Sequence, residues 1–194
     1  MKHAELIIRH MDAYVGEKQV LYDVSFLAKK ESITVIMGPN GSGKSTLAHV
    51  LMGDDRYEVN STKPDCLISL NGRSIGSFSA FERAKMGLFL GLQFPTAVPG
   101  VNVMDLLQAR DQKGRKGNHE TFVQLHARVS ALAKALGIQT NLLKRSVHQG
   151  FSGGEKKKIE LLEALVVKPS FAFLDEIDTG VDADGQKHIL WGIR

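Results

Sequence analysis

Two short apolar segments near the N-terminus predict a pair of strands. ELIIRHMD at 5–12 and QVLYDVSFLA at 19–28 are separated by a VGEK turn. The apolar run SITVIMG at 32–38 predicts a further strand, and a glycine-rich loop and the helical segment KSTLAHVLMG at 44–53 follow it. The first part of the chain therefore has the order strand, glycine loop, helix, which a phosphate-binding turn needs.

The next segments continue the sheet and then become helical. CLISLNGRSI at 66–75 predicts a strand with a turn at Asn71 and Gly72, FSAFERAKM at 78–86 a short helix, and GLFLGL at 87–92 a strand. Beyond the loop FPTAVPGV come NVMDLLQAR, a polar break DQKGRKGN, and the helical stretch HETFVQLHARVSALAKALG. One face of that last helix carries the apolar residues Phe122, Leu125, Val129, Leu132 and Leu136.

The pattern returns to strand and helix after Gln149. A second glycine loop opens the helix EKKKIELLEALVV, Pro169 ends it, and the apolar strand FAFLD follows at 171–175. A helix between strands of this kind implies parallel pairing. The sequence therefore predicts an α/β fold with a small helical insertion.

The amino-acid composition narrows the class of protein to which the chain can belong. The 194 residues are 43% apolar and 24% charged, which suits one globular domain with an inserted subdomain. The net charge is +4, but 25 Lys and Arg are interleaved with 21 acids, so we expect no nucleic-acid partner. The single cysteine, Cys66, excludes an intramolecular disulfide and fits a reducing, cytoplasmic location. No apolar run is long enough to predict direct membrane insertion.

A phosphate-binding loop is the most specific motif. GPNGSGKS at 38–45 matches G-x-x-x-x-G-K-[ST] in full, between a β-rich run and a helix. Lys44 should reach the β- and γ-phosphates of ATP, and the Ser45 hydroxyl should bind Mg²⁺. A plain capping turn is the alternative, but such a turn has no use for Lys44. The predicted nucleotide contacts are Gly38, Pro39, Asn40, Gly41, Ser42, Gly43, Lys44, Ser45 and Thr46.

Two adjacent acids follow the last predicted strand. Phe171–Leu174 should be a buried parallel strand, which places Asp175 at its carboxyl end, where α/β folds bind ligands. Asp175 can bind Mg²⁺, and Glu176 can accept a proton from the water that attacks the γ-phosphate. The alternative, a solvated turn, is less favoured once the phosphate loop is considered.

Five motifs in order resemble the ATP-binding cassette (ABC) ATPases over nearly the whole chain. They are the phosphate loop, Gln93 before the helical insertion, the segment Ser152, Gly153 and Gly154 opening a helix, the acidic pair, and TGVD at 179–182. By itself the second glycine loop could be a simple helix N-cap. The resemblance implies a P-loop NTPase core with an N-terminal antiparallel β subdomain at 1–93 and 150–194, and a helical subdomain at 94–149.

The resemblance also implies roles for individual residues. Gln93 would bind Mg²⁺ and link the core to the helical subdomain. Ser152 and Gly154 would complete the ATP site of a second copy, so that two ATP are sandwiched in a homodimer. Asp182 would lie on the loop that crosses this interface. Tyr14 could stack on adenine, although a surface tyrosine is almost as good an interpretation.

Finer features resemble the SufC branch, the ATPase of the SUF iron–sulfur cluster assembly system. QFPTAVPGV, RSVHQGFSGGEKKK and LDEIDTGVDADG match that branch, with Asp178 where transporters usually have proline. Lys158, Asp184 and Gly185 depart from its pattern. The resemblance implies SufB-like and SufD-like scaffold partners. No His and Cys residues have metal-ligand spacing, so we do not expect this subunit to hold the cluster.

Three alternatives stay open: the nucleotide-binding subunit of an ABC transporter, a DNA-repair-type ABC ATPase, and a nucleotide-binding module that does not hydrolyse ATP. The last arises because the family has a later strand that ends in a switch histidine. His188 falls within a predicted helix instead. We therefore expect the 194 residues to be part of a longer chain, with Ile189, Leu190 and Trp191 facing its core.

Overall fold

The computed structural model describes most of the chain. The described residues are 5–60, 64–91, 96–114, 120–177, 179, 181 and 183–193. By packing, they divide into two compact units, Met1–Leu90 with Ser170–Asp175, and Gly91–Pro169 with Glu176–Arg194. The family-based division at residues 93 and 150 stays a prediction, because units defined by packing need not follow family boundaries.

Strands and helices are interspersed along the chain, in agreement with the predicted α/β class. In chain order they are β1 (Glu5–Val15), β2 (Lys18–Lys29), α1 (Lys44–Met52), β3 (Glu58–Val59), β4 (Leu67–Leu70), β5 (Arg73–Ser74), α2 (Ala80–Lys85), β6 (Leu88–Gly91), β7 (Val98–Asn102), α3 (Val103–Gly114), α4 (Phe122–Ala135), a 3₁₀ helix (Thr140–Lys144), β8 (Ser146–Val147), α5 (Gly153–Val167), β9 (Phe171–Leu174) and α6 (Ala183–Ile193).

The first unit is built on an antiparallel sheet. Its strands lie in the order β2-β1-β4-β5, and β3 pairs with β1. The predicted hairpin is therefore confirmed, with Leu6 opposite Ala28 and Val15 opposite Lys18. The buried apolar residues of β1, which include Leu6 and Ile8, belong to one apolar cluster with the buried residues of α1.

The turn between β4 and β5 is also confirmed. Asn71 and Gly72 both have positive φ, 55° and 80°, as a two-residue hairpin turn requires. The Asn71 side chain accepts a hydrogen bond from the N–H of Glu5 at 3.0 Å, which attaches the turn to the start of β1. Local turn chemistry therefore sets the register of this corner of the sheet.

The strand predicted at 32–38 does not form. Residues 32–39 are irregular, and Ile33, Val35 and Met37 are exposed, Met37 by 86%. A strand needs neighbours for its backbone N–H and C=O groups, and none of the described strands pairs with this run. The prediction was wrong because it considered the apolar composition of the run without a pairing partner.

A separate two-stranded sheet joins β6 and β9. The N–H groups of Ser170 and Phe171 both donate to the Gly87 carbonyl, at 2.8 and 3.2 Å, so the two strands begin side by side, as in a parallel pair. The burial predicted for Phe171–Leu174 is only partly correct. Ala172 is exposed and the other three residues are half-buried.

The second unit is helical. Its core gathers the buried faces of α3, α4, α5 and α6, including Leu107, Val129 and Leu162. In the predicted face of α4, Leu125, Val129 and Leu136 are buried, whereas Phe122 is exposed because it stands in the first turn. A helix also covers residues 111–114, where the sequence predicted a polar break.

The last helix corrects one further expectation. Of the three residues expected to face the core, Ile189 is buried, but Leu190 and Trp191 are 59% and 51% exposed. Successive residues of a helix lie about 100° apart, so Leu190 and Trp191 lie on other sides of α6 than Ile189, and those sides are exposed. Among the described residues, no helix is both long and apolar enough to cross a membrane.

Candidate functional site

Left-handed glycines shape the loop before α1. Gly41 and Gly43 have φ of 82° and 94°, a region that L side chains rarely adopt. A Cβ built on Gly43 would lie 2.8 Å from Leu21 Cδ2. The N–H of Ser42 donates to the Pro39 carbonyl at 3.2 Å, which closes the tight turn between them. Glycine at 43 is therefore required both by its φ and by the nearness of β2.

Lys44 is folded back over the loop. Its Nζ donates to the carbonyl oxygens of Gly38 and Pro39, both at 2.9 Å. The ammonium thus lies beside the mouth of the loop while its own stem belongs to the first turn of α1. Gly43 is the N-cap of α1 and gives no side-chain hydrogen bond, so the first N–H groups of the helix remain available to an anion.

The opposite end of α1 is held firmly. The Gly53 N–H donates to the Val50 carbonyl at 3.0 Å, and the buried guanidinium of Arg83 donates to the carbonyls of Val50 and Leu51 at 3.0 and 2.9 Å. A cation suits the C-terminus of a helix, where the macrodipole is negative. The role of Arg83 could not be predicted from the sequence, because its partners on α1 lie more than 30 residues away in the chain.

Acids and bases also meet just beyond α1. The Arg56 guanidinium donates to both carboxylate oxygens of Asp54, and His49 Nδ1 lies 3.0 Å from Asp54 Oδ2. The hydrogen bonds from Arg56 lower the pKa of Asp54 to about 2. The cluster therefore anchors the exit of α1. It also accounts for His49 as a local hydrogen-bonding residue.

Asp175 and Glu176 follow β9 directly, as predicted. Both are half-buried, and Glu176 has a φ of 47°, which is unusual for a residue with a Cβ. The Thr179 N–H donates to the Glu176 carbonyl at 3.1 Å, so the acid stands at the start of a tight turn. Strained backbone of this kind often marks a functional position.

The second glycine segment begins α5 with a capping box. The Ser152 Oγ accepts a hydrogen bond from the Glu155 N–H at 3.2 Å, and the Glu155 carboxylate accepts one from the Ser152 N–H at 2.7 Å. A Cβ built on Gly153 would meet no atom within 4 Å, so the backbone there is open to approach. Ser152, Gly153 and Gly154 line a cleft of about 390 Å³ in the second unit.

A buried histidine lies just before this segment. His148 is 6% exposed, has a φ of 57° and lies edge-on to the Phe151 ring, with the ring centroids 6.1 Å apart. Burial lowers the pKa of His148 to about 4. The burial of His148 could not be predicted from the sequence, because a lone histidine after the two-residue strand β8 shows no hydrophobic period.

The sequence also led to predictions for Gln93, Asp178, Asp182 and Tyr14. Gln93, Asp178 and Asp182 lie outside the described residues. Tyr14 lies in β1 opposite Gln19 and Glu58 and is half-buried; its predicted contact with adenine stays a prediction.

The oxygen donors of the first unit suit a hard divalent cation. Ser45 supplies a hydroxyl and Asp175 a carboxylate, and Mg²⁺ usually takes only one or two protein ligands together with phosphate and water oxygens. Among the described residues, no group of three or more His, Cys, Asp and Glu side chains could hold a metal ion. Ser45 and Asp175 therefore offer the kind of oxygen donor that Mg²⁺ takes beside a nucleotide, and their binding of Mg²⁺ stays a prediction.

Comparisons with known proteins agree with this geometry. The family model described as ABC transporter matches residues 21–179. A probable ABC transporter ATP-binding protein of Streptococcus pyogenes is 35% identical over 190 residues, which cover 97% of this chain and 73% of that protein. Vegetative protein 296 of Bacillus subtilis is 34% identical, with coverage of 100% and 73%. The probable ATP-dependent transporter ycf16 of Pyropia yezoensis is 38% identical, with coverage of 100% and 77%.

Solved structures give the same fold. The ATP-binding subunit of an ABC transporter superposes with a TM-score of 0.79 at 20% identity, over 97% of this chain and 72% of that one. An ATP-binding cassette of another ABC transporter has a TM-score of 0.74 at 23% identity, over 100% and 76%. These likenesses confirm the predicted fold class.

Proposed function

The chain belongs to the ABC transporter family of ATP-binding domains, and from this premise we propose that it is a SufC-like ATPase. Such a subunit hydrolyses ATP and drives iron–sulfur cluster assembly through ATP-dependent dimerisation. The observation that carries the ATPase part is the loop of left-handed glycines with Lys44 at its mouth and the open N-terminus of α1. The SufC-like part rests on the sequence around Gln93, Ser152 and Asp178.

Binding of ATP would use groups of the first unit. The N–H groups at the start of α1 hold phosphate oxygens, and Lys44 exchanges the carbonyls of Gly38 and Pro39 for the β- and γ-phosphates. Ser45 and Asp175 would hold Mg²⁺, which supplies positive charge to the β- and γ-phosphates when bound. This arrangement neutralises the charge that develops on the transferred phosphoryl group.

Hydrolysis needs a base, and Glu176 is our candidate. Its carboxylate accepts a proton from water as the water oxygen bonds to the γ-phosphorus, and the bond from that phosphorus to the bridging oxygen breaks. The products are ADP and inorganic phosphate. In a homodimer, the open backbone at Gly153 and the neighbouring Ser152 hydroxyl would close over the ATP bound to the other copy.

The partner surface is proposed to include β7. Val98 and Val101 are 43% and 37% exposed on this short strand, which pairs with β8. Exposed apolar residues next to the predicted Gln93 loop suit contact with scaffold proteins of the SufB and SufD type. The names of the similar proteins favour a second candidate, the nucleotide-binding subunit of an ABC transporter, which would use the same surface on a membrane partner.

The ATPase part is tested with two substitutions and one control. Glu176→Gln should keep ATP binding, trap the dimer and lower kcat by about 100-fold or more. Lys44→Ala should weaken nucleotide binding about tenfold or more, because it removes a charge-assisted contact. Glu17→Gln, an exposed acid in the β1–β2 turn, is the matched control and should leave both values unchanged. Parental turnover by Glu176→Gln would exclude Glu176 as the base.

The SufC-like part is tested by the identity of the partner. The chain is tagged, expressed at native level, and purified with and without detergent. We expect a stoichiometric soluble complex with scaffold proteins rich in β-strand. Co-purification with a protein containing several membrane spans, and only in detergent, would replace this proposal by the transporter subunit.

A further inference from the structure

The residues between β8 and Ser152 form an unusual turn. His148 and Gly150 both have left-handed φ, 57° and 68°, and the Gln149 N–H donates to the Ser146 carbonyl at 3.1 Å. A non-glycine residue in that region raises the energy of the turn. We therefore expect side-chain contacts to hold the turn in this form. The turn leads directly into Ser152, the N-cap of α5.

Arg145 supplies those contacts. Its Nη2 donates to the carbonyl oxygens of Gln149 and Gly150, at 3.1 and 3.4 Å, so one nitrogen joins two consecutive peptide groups of the turn. Its guanidinium carbon lies 5.2 Å from the centroid of the Phe151 ring, within the distance at which a cation and a ring attract each other. Phe151 is buried and immediately precedes Ser152. The side chain of Arg145 therefore contacts the three residues that directly precede the N-cap residue Ser152.

The backbone of the same residue is fixed on its other side. The Arg145 carbonyl accepts a hydrogen bond from the N–H of Val103, the first residue of α3, and the Arg145 N–H donates to the Leu142 carbonyl, both at 3.1 Å. Position 145 is thus fixed to the start of α3 and to the 3₁₀ helix. Because the backbone of Arg145 is held in place, the hydrogen bonds from its side chain limit where the turn and the start of α5 can lie.

We infer that Arg145 is a positioning residue for dimer closure. It holds Ser152, Gly153 and Gly154 in the geometry that receives the nucleotide of a second copy, and it contacts no nucleotide itself. This inference rests on the proposed ATP-dependent dimer. Its side chain is exposed, so its removal should leave the packed core of the second unit intact.

The test compares Arg145→Ala, Arg145→Lys and Lys144→Ala in the whole chain. Lys144 is an exposed neighbour of equal charge for which the structure gives no contact with the turn, so it controls for the loss of a positive charge. Dimerisation is measured by sedimentation with ATP in the Glu176→Gln background. Nucleotide binding to each copy's own phosphate loop is measured separately, with a fluorescent ATP analogue at protein concentrations below dimerisation.

Arg145→Ala should weaken ATP-dependent dimerisation about tenfold, because it removes two hydrogen bonds to a cation and one cation–ring contact. Its affinity for the analogue should stay within about twofold of the parental value. Arg145→Lys should be intermediate, since an ammonium keeps the charge over the ring but not the planar donors. Lys144→Ala should match the parent in both measurements.

Two results would overturn the inference. One is parental dimerisation by Arg145→Ala. The other is equal loss of dimerisation and analogue binding, which would show a general loss of folding. If the Glu176→Gln parent itself formed no dimer with ATP, the proposed function would fail first, and that failure is visible before any Arg145 variant is measured. In active chains, Arg145→Ala should lower kcat while the KM for ATP stays near the parental value.

Discussion

Replacing Arg83 by methionine would remove a buried cation that donates to four backbone carbonyls. Arg83 is 2% exposed; its Nη1 donates to Val50 and Leu51, its Nη2 to Gly76 at 2.8 Å and its Nε to Phe78 at 2.9 Å. The carbonyls of Val50 and Leu51 belong to the last turn of α1, whose other end carries the phosphate loop. The substitution therefore tests how the site helix is held in place.

The cost can be worked out carbonyl by carbonyl. All four carbonyls lose the hydrogen bond that Arg83 donates. The Val50 carbonyl keeps the hydrogen bond from the Gly53 N–H, so the cost comes mainly from the other three. Each buried acceptor left without a partner costs about 1–3 kcal/mol. Methionine fills much of the vacated volume, and some water will reach the outer carbonyls, so we expect a loss of about 3–5 kcal/mol in the free energy of unfolding.

Urea and thermal unfolding followed by circular dichroism give the measurement. A loss of this size corresponds to a fall of about 6–20 °C in the unfolding temperature for a chain of this length. Lys85→Met is the matched control: Lys85 is exposed on the same helix, α2, with its Nζ 4.2 Å from the Phe81 ring centroid. It should cost no more than about 1 kcal/mol. Equal losses for the two variants would refute the reasoning.

Three other predictions concern pH and the phosphate loop. Asp54→Asn should cost about 1 kcal/mol at pH 7, because solvent screens the exposed Arg56 partner, and the cost should vanish as the pH falls from about 4 to 2. The parental chain should lose stability relative to His148→Asn as the pH falls from 6.5 to about 4, because the unfolded chain then takes up a proton that the buried imidazole does not. Gly43→Ala should weaken nucleotide binding and lower stability by about 1–2 kcal/mol, because of its φ and the contact with Leu21.

Both effects lower the stability of the folded chain in acid, but the folded state favours the charged form of Asp54 and the neutral form of His148. The folded state lowers the pKa of Asp54, so its contribution is complete above the unfolded pKa and is lost in acid. The folded state also lowers the pKa of His148, but here the neutral form is favoured, so stability rises with pH up to about the unfolded value of 6.5. An Asp54→Asn cost that stayed constant from pH 7 to 2 would contradict the first. Parallel pH curves for the parent and His148→Asn would contradict the second.

Local chemistry explains what the sequence predicted correctly. The Asn71-Gly72 turn, the hairpin of β1 and β2 and the capped start of α5 at Ser152 each depend on residues close together in the chain. Such features can be read from propensity and capping rules, because their partners are within a few positions. The phosphate loop belongs to the same class, since its glycines and Lys44 act on one another across six residues.

The rest depended on contacts between distant segments. Arg83 meets the end of α1 across 33 positions, and no spacing rule connects the two. The run at 32–38 has the composition of a buried strand, yet pairing rather than composition decides whether a strand forms. Leu190 and Trp191 are apolar but exposed, because the described segments pack against the side of α6 that carries Ile189.

The contacts of Lys44 explain why the affinity of the phosphate loop for ATP and the stability of the folded chain need not change together. In the free chain, its ammonium donates to the carbonyls of Gly38 and Pro39 at an exposed site, where water can replace it at little cost. Phosphate oxygens carry full negative charge, so nucleotide binding exchanges two dipole contacts for stronger charge-assisted ones. Lys44→Ala should therefore weaken ATP binding while leaving the unfolding transition nearly unchanged. Gly43→Ala should change both, because glycine at 43 is needed by the fold of the loop itself.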